Sequence, residues 1–309
     1  MKTGKSNVVQ AVILAALGLA AVLSLALPQL FRVEREPPLL SLSVMLRDTD
    51  SSAWTAARQG MEQAADELGA ELRFLTLTVA GDSGEQETLL LREIEDGAAA
   101  LVVVPADPAA LSSALDQWLV VCPAVTLESP MKGAAGTVSP DNALLGRQLA
   151  EALAEDWDGG TVLLLDTAGS CAGIMDRLAA AEMALTEAGI PAQRINALPE
   201  ENCRWLMAFE PAATQQAAER KEAEGKSYSL YGVGAATAIT AQLERGNIAA
   251  MAAWSDYAAG YLAVRRAVSA AQGEEGKVVP LPFSVLREED IYAPENQKLL
   301  FPIMSSSSR

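Results

Sequence analysis

The chain of 309 residues contains no histidine and only three cysteines, Cys122, Cys171 and Cys203. Without histidine it cannot build a Ser-His-Asp or Cys-His catalytic arrangement. The cysteines show no CxxC spacing, so a zinc site is excluded as well, and any metal would have to be held by oxygen ligands alone. We therefore expect no metal and no cofactor.

Positive charge is scarce after the first 35 residues. The chain has 23 Lys plus Arg against 40 Asp plus Glu, a formal net charge of −17. Residues 1–35 carry +3, which leaves −20 for the remainder. A body this acidic repels nucleic acid and anionic lipid. The sequence therefore predicts no nucleic-acid partner.

The longest uncharged run lies at the N-terminus. Lys2 and Lys5 precede residues 6–31, which carry no charge. At about 1.5 Å per helical residue, this run exceeds the roughly 30 Å hydrocarbon core of a bilayer. By the positive-inside rule, the pattern predicts a single-pass anchor in the cell membrane, with the body on the extracytoplasmic side. A cleaved signal peptide is the alternative, since the Ser-Leu-Ala at 24–26 is typical of a cleavage site.

Residues 1–35 are thus interpreted as a membrane anchor or signal segment with its linker. Export would place the body in a compartment where a disulfide can form. Cys171 and Cys203 are the candidates for such a bond, and the sequence leaves open whether they pair. Cys122 lies in the apolar run "WLVVCPAV" and is expected to be buried.

From residue 36 onward, apolar runs alternate with segments of helical periodicity. In residues 55–68, small and apolar residues recur at intervals of three and four, which is typical of an amphipathic helix. The run "AAALVVVP" is apolar throughout, as in a strand buried on both faces of a parallel sheet. Asp107 followed by Pro108 marks a helix start. Repeated strand-helix-strand units predict an α/β fold of doubly wound parallel sheets, in two similar blocks.

Six segments stand in a fixed order between residues 41 and 290: "DTDSSAWTAARQGMEQAADELGAEL", "EDGAAALVVVPADPAAL", "PAVTLES", "VSPDN", "GIMDRLAAAEMAL" and "LERGNIAAMAAWSDYAAGYLAV". Together they resemble the type I periplasmic binding proteins, in the sugar-binding branch that includes ribose- and galactose-binding proteins. The resemblance implies two α/β lobes joined by three crossing segments, with a ligand held between them. Independently, ligands of open α/β sheets bind outside the carboxyl ends of the strands.

The resemblance also implies how the chain divides. Lobe 1 would consist of residues 36–135 plus 255–278. Lobe 2 would consist of residues 136–254 plus 279–300. The tail, residues 301–309, is expected to be disordered.

Eleven residues at strand ends become candidate ligand contacts: Asp50, Ser51, Trp54, Glu128, Ser129, Arg177, Phe209, Glu210, Gly234, Trp254 and Asp256. The first three follow the first strand, where the family commonly has an asparagine and stacking aromatics. Glu128 keeps the acid of the family's acidic-basic pair, whereas Ser129 stands in place of the usual arginine. Arg177 matches the arginine that the family has three residues before a Gly-aromatic pair, although here that pair is Ala180-Ala181.

Departures from the family pattern are equally informative. Phe209 and Glu210 stand where the family often has Asn-Asp, and Gly234 stands in place of an aspartate. Trp254 replaces a glutamine or asparagine. Most of the polar set that grips a pentose or hexose is therefore missing, which argues against plain ribose or galactose.

The residues that remain offer indole faces and carboxylates. Trp54 and Trp254 can stack on a flat apolar face, and carboxylates accept hydrogen bonds from hydroxyl or ammonium groups. The combination favours a sugar, an amino sugar or a related cyclic polar ligand.

The sequence therefore predicts an extracytoplasmic solute-binding protein that captures a small polar ligand and hands it to an ABC permease, without making or breaking a bond. The alternative is a ligand-sensing accessory protein that signals to a membrane histidine kinase. A transcription repressor of this fold would need an N-terminal helix-turn-helix, and an apolar run occupies that place. An enzyme would depend on paired carboxylates, for which Glu128 and Glu210 are the candidates.

Overall fold

The computed structural model of the chain describes residue 17 and residues 39–49, 54–167, 169–276 and 280–301. Almost all of the predicted membrane segment, and the tail beyond residue 301, lie outside the described residues. Within the described residues, no helix is long and apolar enough to cross a membrane. The described residues from Leu40 onward belong to one compact unit.

The first sheet has five strands in the order β2-β1-β3-β4-β5, all parallel. Its strands are β1 (Leu40–Met45), β2 (Ala70–Leu75), β3 (Ala100–Val103), β4 (Ala124–Leu127) and β5 (Gly136–Val138), connected by the helices α1 (Thr55–Leu68), α2 (Ser83–Glu95) and α3 (Pro108–Leu115). β3 and β4 are buried at every residue, as expected for strands covered on both faces.

The second sheet has six strands in the order β11-β10-β9-β8-β6-β7. Its strands are β6 (Val162–Leu165), β7 (Ala192–Ile195), β8 (Trp205–Ala208), β9 (Ser229–Val233), β10 (Ala250–Trp254) and β11 (Phe283–Leu286). The helices connected with these strands are α4 (Asn142–Asp156), α5 (Ala172–Glu187), α6 (Pro211–Glu224) and α7 (Thr237–Glu244). Helix α8 (Asp256–Ala271) follows β10. The described part of the chain then ends with β11, a short 3-10 turn (Glu288–Asp290) and α9 (Pro294–Leu300). The predicted α/β fold with two parallel-sheet lobes is confirmed, except that β11 pairs antiparallel to β10.

Local sequence signals account for several element ends. The Asp107 side chain accepts hydrogen bonds from the amides of Ala109 and Ala110, so it caps α3 with proline in the first turn, as predicted. Asp141 caps α4 by accepting from the amide of Leu144 at 2.9 Å. Each cap satisfies donors that the first helical turn leaves free.

The chain crosses between the sheets at three places. The first crossing follows β5, the second lies at Ser255 between β10 and α8, and the third follows α8. Pro140 and Leu281, from the first and third crossings, form an isolated parallel bridge. Because β5 pairs with β4, residues 136–138 belong to the first sheet, three residues beyond the limit proposed for lobe 1.

Helices α1 and α8 pack with unusually close backbones. A Cβ atom on Gly60 would lie 2.0 Å from the carbonyl oxygen of Tyr257, and one on Gly260 would lie 1.9 Å from that of Ala57. Both contacts fall in the first two turns of each helix. The starts of α1 and α8 are therefore held side by side, and both helices pack against the first sheet.

The three cysteines are unpaired. Cys122 and Cys171 are buried, and Cys203 is partly buried. The disulfide that the sequence allowed between Cys171 and Cys203 is therefore not formed.

Candidate functional site

A cavity of about 90 Å³ lies between the two sheets. Its walls come from the ends of β1, β4, β5, β8 and β10, from the starts of α1 and α8, and from the crossings. The lining side chains that carry charge or an aromatic ring are Arg47, Asp48, Trp54, Glu128, Glu210, Trp254 and Asp256. The cavity thus occupies the position where parallel sheets bind ligands, outside the carboxyl ends of their strands.

Five of the eleven residues singled out from the sequence line this cavity: Trp54, Glu128, Glu210, Trp254 and Asp256. Arg177 does not line the cavity but contacts residues that do. Ser129, Phe209 and Gly234 have structural positions instead, described next. Asp50 and Ser51 lie outside the described residues.

Ser129, Phe209 and Gly234 lie away from the cavity and make packing or backbone contacts instead. The hydroxyl of Ser129 accepts a hydrogen bond from the amide of Gly173 at the start of α5. Phe209 is fully buried, and a Cβ on Gly234 would lie 2.6 Å from a methyl carbon of Ile239. Its φ of 131° is the main reason that a glycine stands at 234, because the terminal methyl of Ile239 could shift to admit a Cβ.

Arg47 is the principal site residue that the sequence reasoning missed. Its Nη1 donates to Oε2 of Glu128 and, at 3.3 Å, to Sγ of Cys171, while Nη2 lies 3.4 Å from Oε2 of Glu210. Glu128 follows a strand of the first sheet, and Glu210 follows a strand of the second. Arg47 therefore joins the two lobes. Its sequence signal was a single basic residue directly after the first strand, in "VMLRD".

Glu128 is the centre of the ionic network. Its backbone has a φ of 64°, a strained value for a non-glycine residue, and its carbonyl oxygen accepts from Nδ2 of Asn142 at 2.9 Å. Burial alone would raise the pKa of Glu128, but the charges of Arg47 and Arg177 outweigh burial and lower it. Glu128, the acidic residue that this chain shares with the family pattern, is thus ionised and paired with two arginines of the protein itself.

Arg177 is fully buried on α5. Its Nε donates to Oδ1 of Asn142 at 2.7 Å, and its Nη1 donates to the carbonyl oxygen of Phe209 at 3.0 Å and to Oε1 of Glu128 at 3.3 Å. The guanidinium carbon lies 4.9 Å from the ring centroid of Trp254. Arg177 therefore supports the cavity wall from behind.

Each cavity indole donates to an aspartate. Trp54 Nε1 donates to Oδ2 of Asp48 at 2.6 Å, and the Trp254 side chain donates a hydrogen bond to the carboxyl of Asp256. Burial and the repulsion of Glu128 raise the pKa of Asp256 to about 7, against the opposing effects of Arg177 and the indole hydrogen bond. The Asp256 carboxyl therefore changes its charge near neutral pH.

The pair Glu128 and Glu210 considered for catalysis has Arg47 as a shared partner. Burial raises the pKa of Glu210, while a hydrogen bond from Thr167 and the charge of Arg47 oppose that rise. Among the residues that the structure describes, no group of three potential metal ligands occurs. The cavity therefore presents to a ligand two indoles, the guanidinium of Arg47 and a set of carboxylates.

A family model described as "Periplasmic binding protein domain" matches residues 42–275 of this chain. No curated protein matches the sequence significantly. Among solved structures, the chain is similar to a carbohydrate transporter solute binding protein from Agrobacterium radiobacter in complex with D-arabinose. The TM-score is 0.75 and the identity 18%, and the match covers 86% of this chain and 100% of that chain.

Two further solved structures have the same fold. The periplasmic component of an ABC-type sugar transport system from Hahella chejuensis has a TM-score of 0.72 and 20% identity, covering 80% of this chain and 100% of that chain. The XylFII–LytSN complex includes a chain with a TM-score of 0.70 and 15% identity, covering 82% of this chain and 100% of that chain. At these identities the likeness shows the fold, and the ligand has to be argued from the cavity.

Proposed function

Because the chain belongs to the periplasmic binding protein domain family, which confirms the resemblance found in the sequence, we propose that it is an extracytoplasmic solute-binding protein. It captures a small polar ligand, sugar-like in size, between its two lobes and delivers it to an ABC permease. The observation that carries this proposal is the cavity between the sheets, walled by Trp54, Trp254 and carboxylates from both lobes.

Closure of the lobes follows from the same contacts. Arg47 and Glu128 from the first lobe meet Glu210 and Arg177 from the second. The Arg47–Glu210 and Arg177–Glu128 ion pairs therefore form only when the lobes are together. A ligand that touches both walls adds differential affinity for this closed state. The closed shape is then what the membrane partner recognises, and the ligand leaves chemically unchanged.

The size of the cavity fits a small polar molecule. By this kind of measure a cavity of about 10–15 Å³ can hold one water molecule, and the 90 Å³ present is several times that volume. The similar protein from Agrobacterium radiobacter was solved with D-arabinose. That likeness supports a ligand of comparable dimensions here.

We also propose that the N-terminal segment anchors the protein in the cell membrane. Residues 6–31 are uncharged and long enough to span a bilayer, and two lysines precede them. An anchor of this kind would keep the binding domain beside its membrane partner.

A ligand-sensing function is the second candidate, and one structural similarity favours it. The XylFII–LytSN structure shows a chain of this fold in complex with another protein. In a sensing protein, the lobes closed around the ligand would signal to a membrane histidine kinase. A neighbouring permease and ATPase in the genome would favour transport, whereas a neighbouring kinase and response regulator would favour sensing.

A thermal-shift screen of the full-length protein against sugars, amino sugars, nucleosides and polyols tests the proposal. A ligand present at a hundredfold excess over its Kd stabilises the folded state by about 2.7 kcal/mol. For a domain of this size, that corresponds to a rise in Tm of roughly 5–10 °C. If no compound in the four classes and no small organic amine raised Tm, the proposed function would be contradicted.

A further inference from the structure

The charged groups around the cavity do not balance. In the described residues, four carboxylates line the cavity, those of Asp48, Glu128, Glu210 and Asp256, and Arg47 is the one guanidinium among the lining residues. Counting Arg177 behind the wall, the site still has two more acidic than basic side chains. A binding site with unneutralised charge attracts a ligand of the opposite sign.

The excess negative charge can be assigned to two particular residues. Arg47 forms ion pairs with Glu128 and Glu210, and Arg177 forms one with Glu128, so the direct ion pairs of both guanidiniums go to glutamates. Asp48 and Asp256 are attracted to Arg47 and Arg177 only from farther away. Asp48 and Asp256 instead have indole N–H groups as their hydrogen-bond donors. An indole N–H satisfies one carboxylate lone pair but contributes no positive charge.

Each of these aspartates is paired with a ring that can itself attract a cation. The faces of an indole carry negative potential, and a cation within about 6 Å of the ring centre is attracted to them. An indole N–H that donates to a carboxylate makes the ring still richer in electrons. Arg177, 4.9 Å from the Trp254 centroid, shows that one ring of this cavity already holds a cation.

We propose that the ligand of this cavity carries a positive charge: it is a small organic cation, a protonated or quaternary amine, held against Trp54 and Trp254 with Asp48 and Asp256 as its counter-charges. This inference rests on the proposed function and specifies the ligand class. An amino sugar and a quaternary ammonium alcohol share the required chemistry.

Two pairs of nearly isosteric probes test the charge directly. Choline is compared with 3,3-dimethyl-1-butanol, in which a carbon replaces the quaternary nitrogen, and D-glucosamine is compared with D-glucose. Each is titrated calorimetrically into the full-length protein. The choline pair is measured at pH 8, where the carboxyl of Asp256 is largely ionised, and the glucosamine pair at pH 7, where the amine of glucosamine is still largely protonated and about half of the Asp256 carboxyls are ionised. In at least one pair the cation should bind at least tenfold more tightly than its neutral counterpart, and the pair that responds identifies the type of amine.

Variants then locate the charge. Asp256→Asn keeps an acceptor for the Trp254 N–H and removes the negative charge, so it should weaken binding of the cation at least tenfold. The matched control, Asp66→Asn, removes one charge from the exposed face of α1 and should leave binding within about twofold of wild type.

Three results would overturn the inference: neutral probes that bind as tightly as their cations in both pairs, no binding of either cation, or equal loss of affinity in the Asp256→Asn and Asp66→Asn variants. If D-glucose bound as tightly as D-glucosamine and choline bound no better than its neutral counterpart, the solute-binding function would stand and the cationic ligand would be refuted. Absence of any ligand in the wider screen would instead remove the proposed function.

Discussion

Arg177→Leu should lower the free energy of unfolding by about 3 to 5 kcal/mol, the usual effect of breaking a buried ion pair. The variant leaves Oδ1 of Asn142 and the carbonyl oxygen of Phe209 without the donor that they have now, and leaves Glu128 with Arg47 alone. It also removes the cation beneath Trp254. Urea unfolding followed by circular dichroism measures the change.

Arg147→Leu is the matched control, because Arg147 also links α4 to α5 through an ion pair. Its partner is Glu187, at 2.8 Å, but both side chains are substantially exposed. Exposed pairs contribute little to stability, so the urea midpoint should stay where it is in the wild type. Equal destabilisation by the two variants would show that burial of the Arg177 network has no special importance.

The second large effect is expected at the contact between α1 and α8. Gly260→Ala should destabilise the protein by about 3 kcal/mol or more, because its new methyl group meets the carbonyl oxygen of Ala57 at 1.9 Å and the two helices must separate. The better helix propensity of alanine, about 1 kcal/mol, offsets only part of this cost. Thermal unfolding should show a lower Tm.

Gly84→Ala provides the comparison. Gly84 lies in the first turn of α2, and a Cβ there would meet only a carboxylate oxygen of Asp82 at 3.5 Å. We expect this variant to be unchanged or more stable by up to about 1 kcal/mol. If Gly260→Ala were tolerated equally well, the close approach that sets the starts of α1 and α8 side by side would be refuted.

The parallel parts of both sheets could be predicted from local patterns, because buried strands such as β3 and β8 are apolar throughout and each is followed by a helical period. The last strand and the last helix of the described chain, β11 and α9, could not be predicted from local patterns. β11 is antiparallel, and α9 follows a turn rich in charge, so neither belongs to the repeating unit. Two other strands were missed because β5 is only three residues long and β7 contains Gln193 and Arg194.

The sequence indicated which residues lie at strand ends near the cavity, but it did not indicate which charged side chains pair with each other. Trp54, Glu128 and Trp254 were predicted from their places at strand ends, and the structure puts all three on the cavity wall. Arg47 was missed because its importance depends on Glu210, which lies 163 positions further along the chain and approaches only through the fold. Arg177 was predicted as a ligand contact, yet helix packing turns it toward Glu128 behind the wall.

The measurement closest to the central claim is calorimetric titration of a ligand found in the screen into wild type, Trp54→Ala, Trp254→Ala and Trp118→Ala. Trp118 is a partly buried indole outside the cavity, so it controls for the general effect of losing a tryptophan. Loss of a stacked indole should weaken binding about ten- to a hundredfold in the two cavity variants, and Trp118→Ala should bind as the wild type does. Wild-type affinity in both cavity variants would contradict the assignment of this cleft as the ligand site.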